Sequence, residues 1–391
     1  MGILVINVTT MAGPGIASMT PDWNGTATPI DWATFTFTWL FFEGKMRAIF
    51  AALFGASLVL YLDRGERETR LLRQVRRLLW LAVFGYLHFL LFWWGDILFT
   101  YAIAGMIALL FRAVAPWRLL GMGGAIYAVV SLLGFAEASF ILGAAHSAAS
   151  GSASPETAGF VAKVGAALND EAAVRMAEYA MGFGEAAAYR LHETPFFPFM
   201  MAARAVPEAL PLMLCGMGLA RTGFFAGEWP RRTMVMITVI GAVVGLGWYG
   251  AMFAYAASQG FRIETVAFLP FQIGFIGRFA MAAAILAGSV MLAPALLRGG
   301  LGRRAAAAGR MALSNYLGCS VSFAFLFNGW GLGLGEERYG HAVLMLFVLL
   351  GWAAMLAWSR PWLDRLGIGP LEYLWRRLSG MRIRRISANR G

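Results

Sequence analysis

Apolar stretches of about twenty residues recur from one end of the chain to the other, and that is the length an α-helix needs to cross the ~30 Å hydrocarbon core of a bilayer. Lipid supplies no hydrogen-bond partners, so a spanning segment must satisfy its own backbone, as a helix does, or close into a barrel. Barrel strands alternate apolar and polar residues over segments of about ten, whereas the runs here are continuous. Of 391 residues, 59% are hydrophobic and only 14% charged, with a mean hydropathy of +0.65, too apolar for a surface in water. The runs recur instead of standing once at the front, which excludes a soluble domain behind a signal peptide. The expected fold is an all-α, polytopic transmembrane bundle of about ten helices.

The net charge of +11 would point to nucleic acid in a soluble protein, but here the arginines occupy the connections between apolar runs and the C-terminal tail. No nucleic-acid partner is expected; membrane lipids and a small-molecule or lipid substrate are. Arg64, Arg67, Arg70, Arg73, Arg76 and Arg77 crowd one connection, which the positive-inside rule makes cytoplasmic. Counting from it places spans at 2–12, 46–62, 78–94, 97–113, 118–142, 199–221, 233–256, 268–297, 311–328 and 342–359, with both termini cytoplasmic. Arg112 with Arg118, Arg221 with Arg231 and Arg232, Arg298 with Arg303 and Arg304, and the tail beyond Arg360 then fall on the same side.

This divides the chain into a five-span bundle (1–142), an extracytoplasmic loop (143–198), a second bundle (199–360) and a basic tail (361–391). The loop carries Glu156, Asp170, Glu171, Glu178, Glu185 and Glu193 among alanines, a composition for polar helices outside the membrane. In the tail, Leu371, Leu374, Trp375 and Leu378 share one helical face beside Arg376 and Arg377, the pattern of an interfacial helix, and the arginines from Arg382 to Arg390 would attract anionic lipid. The first span, Met1 to Met11, is only half long enough, so the natural start is expected upstream of Met1. Both cysteines, Cys215 and Cys319, lie inside apolar runs, and no CxxC pattern occurs, so neither a disulfide framework nor a metal site is expected.

Three stretches carry a family signature: GKMRAIFAALFG at Gly44–Gly55, LHFLLFWWGDIL at Leu87–Leu98, and GRMALSNY at Gly309–Tyr316 with GIGPLEYLWR at Gly367–Arg376. In order and spacing they resemble the DUF418 (YeiB-like) family. That family is similar to a wider group of membrane acyltransferases that includes the heparan-glucosaminide acetyltransferases and acyltransferase-3 proteins. The resemblance implies a transmembrane-acyltransferase-like bundle in a bacterial inner (plasma) membrane, acyl-CoA as co-substrate with no bound cofactor, and by analogy a homodimer. Asn7, Trp23-Asn24-Gly25 and Asp31 look like counterparts of acetyltransferase residues. The histidine those relatives carry in the first outer loop has no counterpart in Met19–Asp22, so a base must come from elsewhere.

Ionisable side chains inside apolar runs are costly and are therefore functional candidates. His88 lies about ten residues into the third span, near mid-bilayer at 1.5 Å per residue, and imidazole is the side chain suited to general-base work near neutral pH. Asp96, eight residues on, is expected about 12 Å away along a continuous helix and is read first as a cap on the next helix, with orientation of His88 open if the helix breaks. Glu43, Lys45 and Arg47 interrupt an apolar run toward the outer side; they are read either as an anion site with Glu43 as counter-ion or as a self-neutralised cluster. Glu208 between Pro207 and Pro211 suggests a broken helix lining a cavity, and Arg278 requires a partner, with Glu137 and Glu208 the candidates. Arg204 and Asn315 complete the set.

Two functions fit these residues. One is a membrane acyltransferase moving an acyl group from acyl-CoA or a lipid-linked donor to an acceptor at or beyond the outer face, with His88 as base. The other is a transporter or exporter of an anionic or amphipathic metabolite bound by Lys45, Arg47 and Arg278.

Overall fold

The computed structural model describes residues 1–23, 25–63 and 67–380; Asn24, Arg64 and the basic stretch from Arg382 to Arg390 lie outside them. The described residues contain helices and no strand. In chain order they are α1 (Gly2–Ala12), α2 (Pro29–Phe41), α3 (Lys45–Leu62), α4 (Arg67–Leu91), α5 (Leu98–Ala108), α6 (Pro116–Ala149), α7 (Pro155–Ala180), α8 (Phe183–His192) and α9 (Phe197–Arg221). There follow α10 (Arg231–Ser258), the single turn α11 (Ile263–Val266), α12 (Phe275–Leu296), α13 (Gly300–Arg310), α14 (Ala312–Phe327), α15 (His341–Leu366) and α16 (Pro370–Leu378).

Six segments are long and apolar enough to cross a membrane: 29–62, which joins α2 to α3, and α6, α9, α10, α12 and α15. Each holds one of the expected spans, but α2 is an addition, because Thr34, Thr36 and Thr38 hide an apolar helix by donating to Ile30, Trp32 and Phe35 carbonyls. The break between α2 and α3 falls at Gly44, whose φ of +71° is open to glycine. The span expected at 268–297 is also broken: a π-helical turn at Leu269–Ile273 precedes α12.

Of the four remaining expected spans, 78–94 falls at the end of the 25-residue α4 and the other three are short. Leu98–Phe111, counting the 3₁₀ turn that ends α5, reaches about 21 Å at 1.5 Å per residue, and the 16 residues of α14 about 24 Å, against the ~30 Å needed. The polar helices expected from 143–198 are α7 and α8, and they pack on the ends of α1, α4 and α14. Tyr179 on α7 donates to the Thr10 carbonyl and its own carbonyl accepts from Gly329 N at 2.7 Å, while Arg190 on α8 donates to Leu90 O at 3.1 Å.

All the described arginine-rich turns meet at the other end. Arg221 spans Asp63 (2.9 Å) and the Arg112 carbonyl (2.8 Å); Arg304 donates to Leu356 O and Arg310 to Gly367 O. At that end α16 does not present one free apolar face as expected. Trp375 donates to Arg77 O at 2.8 Å and packs with Leu371 against Leu81 and Leu313, leaving Leu374 and Leu378 exposed. Glu372 fixes the arrangement by accepting from Leu313 N, Ser314 N and Ser314 Oγ at the start of α14, a carboxylate on a helix N-terminus.

The core lies where α9 packs among α3, α5 and α6, around Leu58, Val59, Tyr101, Tyr127, Met213 and Met217. Gly55 of α3 and Gly216 of α9 each face the partner's backbone, at Met213 and Ala52, with no room for a Cβ. Close approach through small residues is how membrane helices gain dispersion contact where the hydrophobic effect gives them no drive to associate.

Candidate active site

α4 stops at Leu91, and the Trp93-Trp94-Gly95 segment turns the chain back into α5. His88 therefore sits one turn from the end of its helix, not midway along a continuous span, and the 12 Å expected between His88 and Asp96 collapses. His88 Nδ1 lies 2.8 Å from Asp96 Oδ1, with both side chains almost wholly buried. The cap expected of Asp96 is present as well, since its other oxygen accepts from Phe99 N at 2.8 Å. The hairpin closes this tightly because Gly85, one turn before His88, has no side chain; a Cβ there would overlap Phe99 N and lie 2.6 Å from Asp96 Oδ2.

A carboxylate on Nδ1 keeps the proton on that nitrogen and leaves Nε2 as the basic lone pair. His88 Nε2 is buried without a hydrogen-bond partner. Around it stand Tyr316 of α14 (ring centroids 5.5 Å), Trp93 (6.3 Å) and Phe92 (6.4 Å), and Tyr316 Oη accepts from Ile97 N at 3.4 Å. Tyr316 ends the GRMALSNY stretch, and its signal in the sequence is a tyrosine in an apolar run, which ordinary packing also produces.

The turn that carries Asp96 is clamped from the α7–α8 side. Glu178 joins Arg175 (2.8 Å) and Arg190 (2.5 Å), all three buried, and the Arg175 guanidinium stacks 4.7 Å over Trp94 and Phe197. Trp94 Nε1 donates to Tyr179 Oη at 2.9 Å, and burial pushes that phenol above its ordinary pKa. Among six acids spread over the loop, nothing in the sequence marks Glu178 as the buried one.

A second polar centre forms where both helix breaks meet. Arg278 takes Glu208 as its partner, not Glu137, which is exposed, and its Nη2 donates to the Pro270 and Phe271 carbonyls freed by the π-helical turn, at 2.6 and 2.8 Å. The Arg47 guanidinium lies 4.7 Å over the Phe271 ring, with Nε and Nη2 buried and unpartnered. Tyr101 Oη donates to the Arg47 carbonyl at 2.9 Å. Tyr101 stands one turn beyond Ile97, so aromatic residues link the two centres.

Other expected site residues are drawn elsewhere. Lys45 is fully buried, donates to Trp39 O at 2.6 Å and lies 2.8 Å from the centre of the Tyr249 ring. Glu43 forms no direct ion pair with Lys45 or Arg47 among the described residues, and its charge acts on buried Lys45 at longer range. Asp31 is a structural cap: it closes a capping box with Thr28 and accepts from Ala342 N at 2.8 Å, tying the start of α2 to the start of α15. Asn315 is likewise engaged on both sides, donating to Ala308 O and Ser359 Oγ and accepting from Trp358 Nε1. Asn7 is half-buried on α1 and its side chain makes no hydrogen bond among the described residues. Arg204 is exposed one turn from Glu208.

A family model described as a protein of unknown function, DUF418, matches residues 219–382. The uncharacterized protein YeiB of Escherichia coli (strain K12) is 30% identical over 395 aligned residues, covering 97% of this chain and 93% of YeiB. The uncharacterized protein YxaH of Bacillus subtilis (strain 168) is 26% identical over 350, covering 86% of this chain and 79% of YxaH. No solved structure matches.

Proposed function

The chain belongs to the DUF418 (YeiB-like) family, and from that premise we propose that it is a membrane-embedded acyltransferase with His88 as its general base. The observation that carries the reading is a buried imidazole held by a carboxylate on Nδ1 and left unpartnered on Nε2, a geometry that serves proton abstraction more directly than packing. In the proposed step an acceptor hydroxyl or amine gives its proton to Nε2 as its oxygen or nitrogen bonds to the acyl carbon. The C–S bond of an acyl-CoA, or the C–O bond of a lipid-linked donor, breaks, and the leaving group takes the proton from Nε2. The arginine-rich end would face the cytoplasm and the donor's phosphates. An apolar groove of about 470 Å³ bordered by Phe92, Val321, Phe325 and Trp330, one turn from His88, supports an acyl chain beside the dyad.

Transport of an anionic metabolite is the second reading. The Arg278–Glu208 pair beside two broken helices supports it. The test is transfer of radiolabel from a chain-length series of acyl-CoAs, and from acyl-labelled phospholipid, to acceptor lipids in nanodiscs. His88→Gln is expected to lower the rate ~10²–10⁴-fold, and Asp96→Asn to lower it strongly. No transfer by the wild-type protein, or equal transfer by His88→Gln, would count against acyl transfer; anion uptake into liposomes abolished by Arg278→Gln would favour the second reading.

A further inference from the structure

At the end opposite the arginine-rich turns, α1, α2 and the start of α15 enclose a cleft in which Thr9, Ser18, Thr34, Thr38, Glu43 and His341 face apolar side chains of α1 and α15. Its accessible volume is about 20 Å³, room for one water-sized group. Thr34, Thr38 and Glu43 follow one another down α2 and its end, so the cleft leads inward to the carboxylate.

The chemistry of the lining is one-sided. A hydroxyl has one proton to donate and two lone pairs, and every hydroxyl here has already placed its proton on nearby backbone of its own segment: Thr9 on Ile6 O, Ser18 on Gly15 O, Thr34 on Ile30 O and Thr38 on Phe35 O, at 2.7–2.9 Å. His341 Nε2 lies 2.9 Å from the Thr20 carbonyl, so Nε2 carries the proton and Nδ1 is left as an acceptor. Glu43, only 9% exposed, receives no hydrogen bond and forms no ion pair among the described residues. The nearest cation on its own segment, Lys45, is turned to Trp39 O and the Tyr249 face. The polar side chains of the cleft thus offer acceptors and one negative charge, and no spare donor.

A buried carboxylate that accepts no hydrogen bond and meets its cation, Lys45, only at longer range is costly, and a ligand that relieves it here must bring positive charge or several donors. One carboxylate among neutral oxygens suits a single positive charge, since calcium sites draw on six to eight oxygens, commonly several carboxylates. No group of three or more His, Cys, Asp or Glu residues gathers among the described residues to hold a transition metal. We propose that this cleft binds a monovalent cation, either an alkali-metal ion or a primary ammonium head group, on Glu43 and the Thr/Ser oxygens. The site is independent of the dyad at His88, which lies across α1, where Trp93 donates to Thr10 O.

The experiment is thermal unfolding of the full-length protein in nanodiscs at constant ionic strength, with N-methylglucamine chloride replaced stepwise by sodium, potassium or methylammonium chloride. A saturable rise in Tm of about 2–4 °C is expected, absent in Glu43→Gln. Thr34→Val/Thr38→Val, which removes ligand oxygens but keeps Glu43, is expected to raise the half-saturating concentration several-fold, and it serves alone if Glu43→Gln does not fold. A response to sodium or potassium alone identifies an inorganic ion, and a response to methylammonium alone an amine head group. No saturable shift with any cation, Glu43→Gln responding as wild type, or an unchanged half-saturation in the threonine variant overturns the proposal.

Discussion

Glu178 illustrates how one side chain can hold together parts of the chain that share no local signal. It accepts from two guanidiniums, and its removal leaves both buried without a counter-charge. Breaking a buried ion pair from one side costs about 3–5 kcal/mol, whereas replacing the whole set with apolar residues of similar volume is often neutral. Glu178→Ala is therefore expected to lower Tm by many degrees, and Arg175→Met/Glu178→Leu/Arg190→Met to recover most of the loss. Comparing the two melting curves checks this; a single variant no less stable than the triple would contradict it. At this scale the sequence offered costs without partners. Arg278 plainly needed a carboxylate, but the choice of Glu208 over Glu137 depended on how α6 and α9 are rotated, and the rotation of a helix that is apolar nearly all round is weakly encoded in its own residues.

Among the elements, the α4–α5 hairpin matters most, because it turns two residues eight apart into one acid–base pair. Its closeness rests on Gly85. Gly85→Ala is expected to push α5 away from α4 at about 1–3 kcal/mol, the usual cost of overfilling a packed contact, and to reduce the proposed transfer activity along with stability. Gly121→Ala on α6, where a Cβ meets nothing within 4 Å, is the matched control and should leave both nearly unchanged; equal effects of the two substitutions would remove Gly85 from the argument. The hairpin was half legible. Trp94-Gly95-Asp96 marked a turn, but that α4 would end early enough to bring Asp96 back onto His88 followed from the short span and the helices lying over it.

For the whole molecule, the convergence of the described arginine-rich turns on one end makes a single orientation testable. In a variant lacking Cys215 and Cys319, cysteine placed at Glu156 is expected to react with an impermeant maleimide on intact cells, and cysteine placed at Arg231 only after lysis. Labelling of Arg231→Cys in intact cells would invert the proposed orientation. The sequence by itself determined that the chain is a helical membrane protein, which apolar runs pass between basic turns, and that 143–198 forms polar helices, because length, hydropathy and charge act locally and additively along a chain. Only the tertiary structure decided that Asp96 holds His88, that Arg278 pairs with Glu208, that Asp31 and Asn315 serve the architecture, and that Glu43 faces a cleft of acceptors. Those outcomes depend on where helices break, how deep short helices stop and which faces meet across 70 to 311 residues of chain, and such long-range packing leaves no periodic trace in the sequence.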